Sequence, residues 1–148
     1  MAGVLDAIDA IVAFKVVLGF DPIPIYQFVA SGMLGPSAFS GGVGTALVGL
    51  IVHFIIAFSA ACVFVAAATR WRALLDRPWL SGAVFGVGVW AFMNLVVTPL
   101  SRIPPSSFNL ALFLNGIIGH ALFVGVPIAF AARAYASGTA ASAVARAR

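Results

Sequence analysis

Between Gly41 and Thr69 the chain reads GGVGTALVGLIVHFIIAFSAACVFVAAAT, a run with no Asp, Glu, Lys or Arg. As a helix this run is about 43 Å long, and its most apolar part, Ala46 to Ala68, exceeds the ~20 residues that cross a bilayer. Backbone in hydrocarbon must satisfy its own hydrogen bonds, so the run reads as a membrane helix. The remainder agrees with that reading: 63% of the 148 residues are hydrophobic and 8% charged, against about 25% charged in soluble domains. The chain is expected to be a polytopic membrane protein with the lipid bilayer as its first partner. Its net charge of +4 would suggest nucleic acid in a soluble protein. Here the basic residues sit at helix ends and act as topology signals, so no nucleic-acid partner is expected. Cys62 is the sole cysteine and lies inside the apolar run, which excludes a disulfide framework and a cysteine-based metal site.

Hydropathy and turn residues predict four spanning helices over about 2–20, 42–69, 80–100 and 109–132. They form a single domain, 1–132, followed by a flexible cytoplasmic tail, 133–148. The fold class is all-α: a membrane four-helix bundle in up-down-up-down order. Asp21-Pro22-Ile23-Pro24 ends the first helix, because two prolines forbid its continuation. The stretch 25–34 is too short to span and is expected to form a short interfacial helix between helices one and two, with Tyr26 at headgroup level. The first twenty residues lack a basic leader and contain Asp6 and Asp9, so they read as a retained helix rather than a cleaved signal peptide. Arg70, Arg72 and Arg77 share a loop on the same side as Arg133, Arg146 and Arg148, with only Arg102 in the opposite loop. The positive-inside rule then puts both termini in the cytoplasm, with a bacterial inner membrane as the expected location.

Small residues recur along one face of the second span. Gly42, Ala46, Gly49, His53, Ala57, Ala60 and Ala67 lie together, whereas Leu47, Ile51, Ile55, Phe58 and Val65 face away. Membrane helices associate through small residues, so the first face should meet the bundle and the second the lipid. His53 therefore points inward.

His120 on the fourth span lies at about the same depth as His53, and each histidine follows a glycine four residues earlier, Gly49 and Gly116. Two inward imidazoles across a bundle core, with glycines leaving room for a flat ring, suit haem b or a chlorophyll-type pigment. Packing is the plainer reading, with each histidine bonded to Asn94, Thr45, Thr98 or a backbone carbonyl. A proton or substrate pathway is the third. No carboxylate or thiolate is expected at their depth, so a metal site lacks ligands. Asp6 and Asp9 fall in the first turns of helix one, near the headgroups and the positive end of the helix dipole, or else form an intramembrane ion site. Lys15, Asn94 and Asn115 form a second expected polar layer nearer the outside. No nucleophile motif, phosphate loop or paired-carboxylate arrangement occurs, and no enzyme is predicted.

The segments Ser31-Gly32-Met33-Leu34-Gly35, Ala38 to Gly42, Gly49 to Phe54, Met93 to Ser101, and Asn115-Gly116 through Gly119-His120 to Ala129 resemble a family of small bacterial integral membrane proteins of unknown function. That resemblance implies four transmembrane segments and an inner-membrane location, and carries no activity. The first helix departs from the family pattern, whose N-terminus starts earlier with a basic residue. Three functional classes follow: a non-enzymatic membrane module or accessory subunit, a bis-histidine haem or pigment protein, and a small transporter or proton-conducting oligomer.

Overall fold

The computed structural model describes the backbone of residues 1–146 and the side chains of residues 1–138. Among the described residues all regular structure is helical. Five helices follow one another: α1 (Ala2–Leu18), α2 (Pro22–Leu34), α3 (Gly42–Arg70), α4 (Pro78–Leu100), and α5, which starts at Leu110 and runs through a wide turn into Val126–Arg146. Short 3-10 turns at Gly35–Ser40 and Arg72–Leu75 connect α2 to α3 and α3 to α4. Three helices, α3, α4 and α5, are long and apolar enough to cross a membrane. α1 has 17 residues, about 26 Å of helix, which falls short of the ~30 Å hydrocarbon core.

Two boundaries differ from the sequence reading. The predicted tail from residue 133 is helical as far as Arg146, because its Ala-rich sequence has high helix propensity and holds no proline to stop α5. Residues 147–148 lie outside the described residues. The short helix expected at 25–34 is present, starts three residues earlier at Pro22 and packs against α3. Asp21 precedes its first turn, and Pro22 takes the first helical position, where the missing N–H is not needed. The same prolines that stop α1 therefore start α2. Between them Gly19, at φ 72°, caps α1 in the left-handed conformation.

α2 folds back along the start of α3 and buries Tyr26, Gln27, Ala30 and Ser31. The approach is backbone to backbone, since a Cβ on Gly49 would collide with the Tyr26 carbonyl. Buried polar groups need partners, and Gln27 has them: its amide donates to the Gly42 carbonyl at 3.1 Å and to Thr45 Oγ1 at 3.4 Å. Thr45 in turn donates to the Ala38 carbonyl at 2.6 Å.

α4 and α5 form a second close pair. Gly82 meets the Gly125–Val126 backbone, Gly86 meets His120 and Ala121, and Trp90 lies over Gly116. Contacts therefore advance along α4 as they recede along α5, as in an antiparallel hairpin. Both helices contain a π turn, Met93–Val97 in α4 and His120–Gly125 in α5. Each stands just before a proline. Pro99 and Pro127 cannot donate to the carbonyls of Leu95 and Phe123, four residues back, and their rings would crowd those carbonyls. Widening the preceding turn relieves the clash while the helix continues. The Asn94 amide donates to the Trp90 carbonyl at 2.9 Å, beside the wide turn of α4.

The apolar core sits where α3 crosses α5, with Phe64 and Ala68 against Val124, Ile128, Ala129 and Ala132. Leu47, Ile51, Ile55, Phe58 and Val65 are exposed, on the face expected to meet lipid. A side chain at Gly86 would strike the α5 backbone, whereas Gly88 has open space around it. Gly86→Val is expected to lower stability by about 1–3 kcal/mol or more, with Gly88→Ala near neutral, read as unfolding midpoints in mild detergent by circular dichroism.

Candidate functional site

α1 brings the polar residues together. Its first turn packs on the middle of α3, with Gly3 against Phe54 and Ala57, and Ala7 clusters with Tyr26 and Ala46. This register corrects the depth expected for Asp6. Counting from the helix's own start places Asp6 near the headgroups, but α1 begins level with Ala57, so its second turn lies beside His53. Asp6 Oδ2 is 3.8 Å from His53 Nδ1, and Asp6 Oδ1 is 3.9 Å from His120 Nδ1. One carboxylate thus stands between two imidazoles, where none was expected. Its side chain is 16% exposed and that of His53 14%, so the carboxylate and the His53 ring are largely screened from the surroundings by protein.

The hydrogen bonds around this group assign its protons. His53 Nε2 lies 2.9 Å from the Gly3 carbonyl, which can only accept, so Nε2 carries a hydrogen. In a neutral ring the Nδ1 lone pair then faces the Asp6 carboxylate, and two acceptors face each other. A proton on either group turns that repulsion into attraction. At 3.8 Å the pair is wider than a hydrogen bond and within ion-pair range. His120 Nδ1 lies 2.9 Å from the Gly116 carbonyl one turn back, so by the same argument it donates there while also facing Asp6. Tyr26 and Phe54 present ring edges to His53, with centroids at 6.3 and 5.3 Å. They fill the space around the ring with apolar surface.

One turn along α1, Asp9 makes a second pair. The Asn115 amide donates to Asp9 Oδ2 at 3.0 Å. Gly119 makes this possible, since a Cβ there would collide with the Asp9 carboxylate. Of the residues singled out in the sequence, Asp6, Asp9, His53, His120 and Asn115 converge. Lys15 and Asn94 do not join them. Lys15 is exposed and pairs with Asp21 at 2.7 Å across the turn from α1 to α2, while Asn94 is exposed and bonded within α4. The outer polar layer is therefore not assembled: only Asn115 of its three members meets a partner from another helix.

The site does not fit a planar macrocycle between the histidines. Asp6 occupies the gap, and the two glycines assigned to make room for the ring are filled by protein, Gly49 by the α2 backbone and Gly116 by the Trp90 indole. Among the described residues no group of three metal-ligating side chains is arranged to hold a metal ion.

Sequence reasoning placed Tyr26 at headgroup level and missed its contact with α1, where its hydroxyl reaches the Ala7 carbonyl at 3.5 Å; it also missed Gly86, which lets α4 approach His120. The spacing Gly82-x-x-x-Gly86 was a legible signal of a helix contact. No protein-family model, curated protein or solved structure matches the chain.

Two outcomes follow from this geometry. Protein expressed with a haem precursor is expected to show no Soret band in its visible absorption spectrum. Asn115→Ala, which leaves the Asp9 carboxylate without its amide donor, is expected to cost about 1–3 kcal/mol, seen as a lowered thermal midpoint in detergent.

Proposed function

We propose that this chain is a multi-pass, non-enzymatic protein of a bacterial inner membrane whose working part is a proton-binding group made of Asp6, His53 and His120. In this reading α1, α3, α4 and α5 are four membrane segments in up-down-up-down order, and α2 is a shorter helix packed among them. The arginine-rich loop 71–77 and the C-terminal end of α5 face the cytoplasm, with the N-terminal end of α1 directed to the same side. The order of contacts between α1 and α3 and between α4 and α5 supports this arrangement, as do the arginine positions. The family of small bacterial membrane proteins that the sequence resembles has the same expected location.

The observation that carries the functional reading is the single carboxylate within 4 Å of two imidazoles from different helices. Ionisable groups inside a membrane are expensive to keep, and where they occur in a facing cluster they mark proton or ion pathways. A carboxylate and a histidine sharing one proton can load it from one side and release it to the other if the helices around them shift, which places the chain in the class of small proton-coupled transporters or proton conductors. A second reading has its own support: every buried polar side-chain atom among the described residues has a hydrogen-bond partner, as in a packing module or accessory subunit whose cluster only holds α1 in register.

Proton uptake into proteoliposomes driven by a potassium diffusion potential, followed with a pH-sensitive dye, separates the two. The proton reading expects uptake above that of empty vesicles, reduced at least tenfold in Asp6→Asn. Equal uptake by Asp6→Asn and the unsubstituted protein would sink the proton role of Asp6. Absence of uptake in both, with the helical circular dichroism signal intact, would leave the packing module.

A further inference from the structure

On the arginine-rich half of the molecule α1 does not cover the seam between α3 and α5, and a groove of about 510 Å³ runs there. Its deep end is closed by the first turn of α1 at Gly3, beside Phe54. Its walls are Ala61 and Val65 of α3 and Ile128 and Ala132 of α5, and Arg72 stands at its mouth. From Phe54 to Thr69 the groove follows α3 for about 22 Å, which exceeds the ~15 Å depth of one leaflet of hydrocarbon. Its surface is largely apolar, and Arg72 is the only charged side chain lining it among the described residues. Arg72 makes no hydrogen bond or ion pair among those residues. Arg70 and Arg77 lie near it in sequence with one acid, Asp76, whose backbone carbonyl takes a bond from Arg133 at 3.4 Å.

We propose that this groove holds one acyl chain of an anionic phospholipid, with the lipid phosphate on Arg72. The inference rests on the membrane reading above and is independent of the proton reading. Length, apolar walls and a cationic mouth at headgroup level match a phospholipid from end to end. Charge complementarity selects the anionic class, because a zwitterionic headgroup offers Arg72 no net charge.

The test uses the full chain reconstituted into vesicles of equal parts phosphatidylglycerol and phosphatidylcholine, extracted into mild detergent and weighed by native mass spectrometry. The expected result is one retained phosphatidylglycerol, favoured about fivefold over phosphatidylcholine. Arg72→Ala should reduce that preference about fivefold, the effect of the ~1 kcal/mol that one arginine contributes beside anionic lipid. Ala61→Trp, which fills the groove, should remove both lipids, and Arg102→Ala at the other end should change nothing. Equal retention of the two lipids, an Arg72→Ala protein identical to the parent, or a protein dimer in place of bound lipid would each overturn the proposal. Failure of the chain to incorporate into vesicles would instead overturn the membrane reading beneath it.

Discussion

Close approach of helix backbones is the constraint on which the rest depends. In lipid there is no hydrophobic gain from bringing two apolar helices together, so association comes from van der Waals contact over short distances. This chain obtains it by leaving side chains out at the crossings: Gly49 under α2, and Gly82, Gly86 and Gly125 between α4 and α5. Two glycines also set the position of something polar. Gly86 brings α4 onto the α5 backbone at His120, and Gly119 leaves the space that the Asp9 carboxylate fills. Packing and polar chemistry are thus placed by the same few positions.

α1 is the element that uses this placement. It carries three charged residues, Asp6, Asp9 and Lys15, in 17 residues. Two of its charges face inward to meet partners from α3 and α5, and the third is exposed and neutralised by Asp21. Removing a carboxylate from water is costly unless neighbouring groups replace the lost interactions. Here a carboxamide serves Asp9 and two imidazoles stand beside Asp6.

Much of the fold was legible in the sequence. The uncharged run beginning at Gly41 determines α3, and the alternation of small and bulky residues along it identifies the side that meets other helices, from Ala46 and Gly49 to the exposed Ile51 and Phe58. The inward direction of both histidines was also readable. What the sequence did not disclose is relative register. Nothing in the composition of α1 says that its first turn sits against the middle of α3, so the meeting of Asp6 with His53 and His120 escapes any count made along one helix. The glycines before each histidine were visible, but not what fills them, because a gap for a ring and a gap for a neighbouring backbone leave the same mark. The role of α2 was hidden for a similar reason: a short segment after two prolines reads as peripheral until Gln27 is seen bonded to Gly42 and Thr45.

The wide turn at His120–Gly125 divides α5 into two rotational frames. A regular helix advances about 100° per residue, so accommodating one extra residue in a turn rotates everything beyond it by about that angle relative to an uninterrupted helix. The first part of α5 presents Asn115 and Gly119 to α1, and the second presents Ile128 and Ala132 to α3. On an uninterrupted helix Ile128 and Ala132 would lie about 140° round the axis from Asn115 and Gly119. The extra residue turns the second set by about 100°, which changes the direction in which Ile128 and Ala132 face, with His120 standing at the junction.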